Sequence, residues 1–244
     1  MERSIWIGHE PREAAALAVA RHSIKRLLST RHIPVKGLVL SDLRKDGLYT
    51  RPTSLRDGRL WDDISDAPMA TEFACSRFLV PHLARKYPPQ TKATRWAVFM
   101  DCDMLVRCKI TDLFESLNSS YAVMVVKHDH NPTETTKMDG QIQTRYSRKN
   151  WSSVCAFNID HPANDALTVD MVNTLPGRDL HAFCWLKDDE IGELDHGWNY
   201  LIGASPPHPD PAIVHFTDGI PLMTGYENCE YADEWRAELD NWAR

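Results

Sequence analysis

Two aspartates, Asp101 and Asp103, stand at i and i+2 directly after an unbroken apolar run, Trp96 to Met100. Carboxylate oxygens are hard ligands, so an Asp-x-Asp pair can turn both side chains toward one divalent cation such as Mg²⁺ or Mn²⁺. Such an ion neutralises a diphosphate and stabilises it as a leaving group. A bare Asp-x-Asp is equally what an exposed acidic turn looks like; the apolar run before it and Leu105-Val106 after it favour the ion. His215 closes another short apolar run, in AIVHFTDGIP (212–221), where an imidazole can complete a metal shell or simply bond the backbone. The N–H groups of Asp218 and Gly219 in the same stretch can face a phosphate. Arg77 sits within FACSRFLVPHL (73–83), and a buried guanidinium needs an anion, either a structural carboxylate or a ligand phosphate. In WLKDDEIGEL (185–194), Asp188, Asp189 and Glu190 can cap a helix start or hydrogen-bond sugar hydroxyls.

These groups need a scaffold, and the sequence outlines one. Ser4–Gly8 is a short apolar run ending in Gly, Pro11 opens a helical pattern to about Ser29, and Val35–Leu40 is a second strand-like run. Strand, helix and strand within 40 residues make a βαβ unit, hence an α/β fold with a mostly parallel central sheet flanked by helices and the first strand central. In such sheets ligands bind beyond the carboxyl ends of the strands, which is where Asp101 and Asp103 fall. Residues 42–70 read as an ordered loop region, and Thr71 caps a helix to about Tyr87 interrupted by Pro81. Trp96–Met100, Tyr121–Val126 and Val154–Ile159 read as strands, 163–175 as a helix, and Trp198–Ile202 and Ala212–Phe216 as late strands. Trp235, Leu239 and Trp242 recur at i, i+4, i+7 on a terminal amphipathic helix that docks back on the body. The polar stretch Lys127–Asn150 has no apolar periodicity, and a loop of that length suits a lid over a bound ligand.

The chain has 244 residues, 43% hydrophobic and 25% charged, enough for a substantial core; with no internal repeat or Gly/Ser linker, 1–244 reads as a single domain. Lys and Arg total 28 against 34 Asp and Glu, a net charge of −6, which argues against a nucleic-acid partner. The opening MERSIWIGHE has no signal-peptide pattern, and no apolar run is long enough to span a bilayer. The six cysteines include no C-x-x-C pair, which reads as a reduced, cytoplasmic chain without structural zinc.

In order and spacing, five segments resemble glycosyltransferase family 8, which includes bacterial lipopolysaccharide galactosyltransferases and glycogenin. They are SRFLVPHL (76–83), VFMDCDMLV (98–106), SSVCAFN (152–158), LKDDEIG (186–192) and VHFTDGIP (214–221). The resemblance implies a GT-A (Rossmann-like) fold and transfer of a sugar, with retention, from a nucleotide-sugar, most simply a UDP-sugar. The acceptor, whether glycan, lipid-linked or small molecule, is left open, as is the oligomeric state. It implies that Asp101 and Asp103 bind Mn²⁺ or Mg²⁺ on the diphosphate with His215 as third ligand, and that Cys102 lies between them at the donor. Arg77 would reach the donor, Ile7, Gly8 and His9 would line its base and ribose, and Gly219, after Asp218, would form the phosphate-side turn. Asp188 and Asp189 match the family's Asp-Gln pair near the anomeric carbon. The chain departs from the family pattern at Trp151-Ser152-Ser153-Val154, where Asn-x-Gly-Val is usual. It departs again in the turn after His215, where Asp218 has entered and the family's lysine is missing. Two alternatives remain in play, a non-catalytic nucleotide- or carbohydrate-binding relative and a nucleotidyltransferase that makes a nucleotide-sugar. The second calls for a Gly-rich basic phosphate loop after the first strand, whereas IGHEPRE has one Gly and two acids.

Overall fold

The computed structural model describes residues 2–28, 33–86, 94–128, 148 and 150–244. Most of the Lys127–Asn150 segment, expected as a lid, lies outside the described residues.

The chain opens with β1 (Glu2–Gly8), whose Ile5, Trp6 and Ile7 are all buried because both faces of the sheet are covered. A short 3-10 turn at Pro11–Glu13 leads into α1 (Ala14–Leu27), which buries Ala16, Val19, Ala20, Ser23 and Ile24 at helical spacing. β2 (Val35–Leu38) returns parallel to β1, completing the expected βαβ unit. The 42–70 region is more regular than expected. It holds most of α2 (Leu40–Lys45) and a small antiparallel sheet of β3 (Thr53–Arg56), β4 (Arg59–Asp62) and β5 (Ala67–Pro68). Asp57-Gly58, both at positive φ, make the two-residue turn between β3 and β4, a chemistry the sequence carried in plain sight.

The helix expected over 71–87 is shorter. A 3-10 turn at Ser76–Leu79 runs into α3 (Val80–Arg85), and Pro81 sits in its first turn, where a missing N–H costs nothing, so it starts the helix instead of interrupting it. β6 (Arg95–Met100) is the buried apolar strand. After Asp101-Cys102-Asp103 comes β7 (Met104–Val106), then α4 (Ile110–Glu115), β8 (Val123–Val125) and β9 (Val154–Asn158). The helix expected over 163–175 is broken into a 3-10 turn at Pro162–Asp165 and α5 (Val169–Thr174), because Thr168 accepts from Met171 N at 3.1 Å and starts a new helix. α6 (Gly177–His181), β10 (Ile191–Glu193), β11 (Tyr200–Leu201), β12 (Ile213–His215) and α7 (Ala232–Trp242) complete the chain.

The central sheet has the order β10-β8-β9-β6-β1-β2. Three of its five pairings are parallel, and β9 is the antiparallel strand between β8 and β6. The fold is thus α/β with a mostly parallel sheet between helices, as expected, although β1 lies second from the edge and is not central. A second sheet, β11-β12-β7, shares its core with α1 and α7 through Val19, Leu105, Val214, Phe216 and Trp235. α7 docks as expected: Glu238 takes His22 Nδ1 at 2.6 Å and Arg26 Nε at 3.1 Å, and Trp235 is fully buried. Trp242, expected on the same face, is 55% exposed because the helix outruns the body at its last turn. No helix among the described residues is long and apolar enough to cross a membrane. All six cysteines are free.

Candidate functional site

The site starts from a change of sheet. β6 delivers the chain to Asp101, whose N–H donates to Ser153 O at 3.0 Å, and three residues later, at Met104, β7 begins in a different sheet. β7 pairs antiparallel with β12 so that Met104 opposes His215, and Phe216 N donates to Asp103 O at 2.9 Å. This register carries an imidazole from far along the chain to the second aspartate, with His215 Nε2 3.3 Å from Asp103 Oδ1. One donor atom from each of Asp101, Asp103 and His215 lies within 4.8 Å of the others.

The imidazole is held in one orientation. His215 is buried, and its Nδ1 meets Asn199 Oδ1 at 3.0 Å. Asn199 Nδ2 donates to Ser153 Oγ at 2.8 Å, which leaves Oδ1 as the acceptor and puts the ring proton on Nδ1. Nε2 is therefore the ring nitrogen turned toward the aspartates, the orientation that outer hydrogen bonds give a metal-binding histidine.

Arg77, also buried, finds a carboxylate as its anion: Nη1 pairs with Asp101 Oδ1 at 2.8 Å. It also donates to Ser152 O at 2.9 Å and, through Nε, to Ala74 O at 3.1 Å. The guanidinium lies 4.8 Å from the Phe99 ring centroid and 5.3 Å from that of Phe73, flanked by aromatic rings. Because β9 runs antiparallel to β6, the start of β9 brings Ser152 and Ser153 to the same sheet edge as Asp101.

Asp101, Asp103, His215, Arg77, Ser152 and Ser153 line a cavity of about 500 Å³. Among the described residues, its charged lining comprises five carboxylates (Glu13, Asp62, Asp101, Asp103 and Asp218) and two guanidinium groups, Arg77 and Arg178. Burial, and then the Asp103 charge, push the Glu13 carboxyl up to about 7. A hard, acidic donor set with one oriented imidazole fits a divalent cation of the Mg²⁺ or Mn²⁺ type.

The structure treats the other sequence-predicted residues unequally. Asp218 and Gly219 line the cavity, but Gly219 N–H is already committed to Phe216 O at 3.1 Å and does not face a ligand. A Cβ at Gly219 would lie 2.6 Å from the Tyr226 ring, so glycine serves close packing there. Ile7 is fully buried in the core, Gly8 lies against the Phe73 ring, and His9 N donates to Leu38 O at 3.0 Å; none of the three lines the cavity. Cys102 is buried too, its thiol 3.5 Å from Glu13 Oε2 and held well above the usual thiol range by burial, so it stays protonated. Asp188 and Asp189 are exposed on a 3-10 turn before β10 and do not line the cavity. Asp188 pairs with Arg148, and Glu190 Oε2 accepts Lys187 N at 2.8 Å, so of the three acids Glu190 caps the turn. Sequence reasoning missed Glu13 and Asn199. Only Glu13 left a signal, an acid just after the Pro11 that follows the first strand.

No protein-family model matches the chain. Among solved structures it is similar to WbbM, a bifunctional glycosyltransferase, at 15% identity and a TM-score of 0.62, covering 98% of this chain and 50% of WbbM. The chain therefore spans half the length of that neighbour. It is also similar to the galactosyltransferase LgtC, solved with donor and acceptor sugar analogues, at 12% identity and a TM-score of 0.54, covering 98% of this chain and 95% of LgtC. These neighbours share the fold of GT-A glycosyltransferases, and so does this chain. Protein CDI of Arabidopsis thaliana is 41% identical over 245 residues, covering 98% of this chain and 86% of the plant protein. At that identity and coverage, the chain belongs to the family of Protein CDI.

Proposed function

We propose that this protein is a metal-dependent glycosyltransferase that takes its sugar from a nucleotide-sugar, most simply a UDP-sugar, and passes it with retention to an acceptor still to be identified. The observation that carries this reading is the meeting of Asp101, Asp103, His215 and Arg77 in one acidic cavity of a GT-A fold. Asp101, Asp103 and His215 would hold Mn²⁺ or Mg²⁺. When bound, the ion supplies positive charge against the diphosphate as it departs.

The chain's own groups act around that charge. Asn199 holds His215 with Nε2 turned toward Asp103. Arg77, fixed by Asp101, Ser152 O and Ala74 O, presents a preorganised positive field at the cavity wall, which costs no reorganisation when leaving-group charge develops. In a retaining transfer the acceptor hydroxyl attacks on the face the diphosphate leaves. The bond from the anomeric carbon to the phosphate oxygen breaks, a bond to the acceptor oxygen forms, and the departing oxygen takes the acceptor proton.

The deciding experiment is Mn²⁺-dependent UDP binding by calorimetry to the wild type and to Asp101→Asn, Asp103→Asn and His215→Asn. Each variant should lose most of the metal-dependent affinity; retention by all three rejects the assignment. A second reading, a nucleotide or carbohydrate binder without transfer activity, is favoured by one observation, the exposure of Asp188 and Asp189 outside the cavity. Tight Mn²⁺-UDP binding with neither hydrolysis nor transfer across UDP-sugars would select it.

A further inference from the structure

We propose that Asp195, His196 and His208 form a second cation site, outside the cavity, that takes an imidazole-seeking transition ion of the Zn²⁺ class. One donor atom from each lies within 4.8 Å of the others. Asp195 Oδ1 is 3.5 Å from His208 Nε2, and the two imidazoles meet edge to face with centroids 4.7 Å apart. None of the three lines the cavity or belongs to the Asp101 constellation.

The cluster is built, not a chance meeting of surface side chains. Asp195 and His196 open a 3-10 turn ending at Asn199, and His208 comes from the proline-rich loop before β12. The loop closes over Gly197, where a Cβ would lie 2.9 Å from His208 Nε2, so a bare backbone is what lets the imidazole sit beside Asp195. Asp195 Oδ1 accepts Gly197 N at 2.8 Å, and Ala212 N donates to Gly197 O at 2.9 Å, fixing turn and loop to each other. Asp195 Oδ2 and a second lone pair on Oδ1 remain for an ion.

The donor set decides the metal. Two imidazoles and one carboxylate are richer in nitrogen than the Asp101, Asp103 and His215 set, which shifts preference from Mg²⁺ and Mn²⁺ toward Zn²⁺ and its neighbours. Asp195 and His196 are exposed, which leaves room for water as a fourth ligand. Asp210 N donates to His208 Nδ1 at 3.2 Å, so the neutral ring carries its proton on Nε2. A cation at Nε2 takes the proton's place, the proton moves to Nδ1, and the long Asp210 contact is given up.

Calorimetric titration of Zn²⁺ into the wild type, His196→Ala, His208→Ala and His215→Asn tests this, with Co²⁺ absorption reporting the ligand field. We expect one equivalent of Zn²⁺ to persist in His215→Asn and to weaken at least about tenfold in His196→Ala and His208→Ala, since a lost ligand costs no less than a lost outer-shell partner. His196 is exposed, so its variant folds, and circular dichroism checks it. Zn²⁺ binding to His196→Ala and His208→Ala as tight as to the wild type overturns the proposal, as does loss of all Zn²⁺ in His215→Asn. The readout is free of UDP and sugar transfer, so it stands or falls separately from the proposed activity.

Discussion

At the scale of single residues, the cavity is governed by how a few buried polar groups hold one another. Arg77 and Asp101 are both largely shielded from water, and removing one partner of such a pair leaves the other charge uncompensated. Arg77→Ala should therefore cost about 3–5 kcal/mol of unfolding free energy, read by urea denaturation, apart from any effect on ligands. Asn199 makes the opposite case, a neutral side chain whose worth is in orientation. Asn199→Ala frees the His215 ring and should weaken Mn²⁺ binding by about 10–100-fold. Asp188 and Asp189 separate two outcomes. Standing outside the cavity, their Asn variants should leave Mn²⁺-UDP affinity within about twofold, as expected for residues that touch no bound group. A large loss of affinity in either would place that carboxylate at the donor. The aspartate pair of the candidate site was legible, because an apolar strand followed by Asp-x-Asp states both a position and a chemistry. Asn199 was not, since a lone asparagine acquires meaning only through what a distant strand brings beside it.

At the scale of elements, the decisive event is that β6 and β7 belong to different sheets although three residues separate them. The turn is thereby forced to project Asp101 and Asp103 between the sheets, and the β7–β12 register then delivers His215. The apolar runs behind β1, β6, β8 and β9 were readable because buried strands must be apolar. The breaks in the helical stretches were less so. Thr168 reads as a cap only once the preceding turn is seen, and Pro81 serves equally to end a helix or to begin one. Gly8 ties an element to the site. A Cβ there would lie 2.4 Å from the Phe73 ring, which lines the cavity and lies beneath Arg77. Gly8→Ala should thus cost about 1–3 kcal/mol through overpacking. Because the strain falls on Phe73, Phe73→Leu in the Gly8→Ala background should return part of it, a coupling that a double-mutant cycle measures.

At the scale of the whole molecule, two half-buried titratable groups on the cavity wall give the metal-free chain an uneven response to pH. Burial drives the His181 imidazole down to about 3, with Arg77 adding to the effect, so the folded state keeps it neutral where the unfolded chain would protonate it. Its contribution is full above about 6.5 and is lost as pH falls toward 3. Glu13 runs the other way. With its carboxyl raised from 4.5 to about 7, its contribution is full below 4.5 and is lost as pH rises to 7. Each slope amounts to at most about 1.4 kcal/mol per pH unit, and between 4.5 and 6.5 they oppose. Unfolding free energy with a chelator present should therefore be nearly flat across that window and fall steeply below it, where His181 acts alone and the depressed carboxyls of Glu10 and Asp62 join it. Removing either group unmasks the other. His181→Asn should grow more stable as pH drops from 6.5 to 4.5, whereas Glu13→Gln should lose stability over the same interval. Urea melts at four or five pH values distinguish the two slopes by sign. Parallel curves for the wild type and both variants would mean that neither group changes its proton affinity on folding.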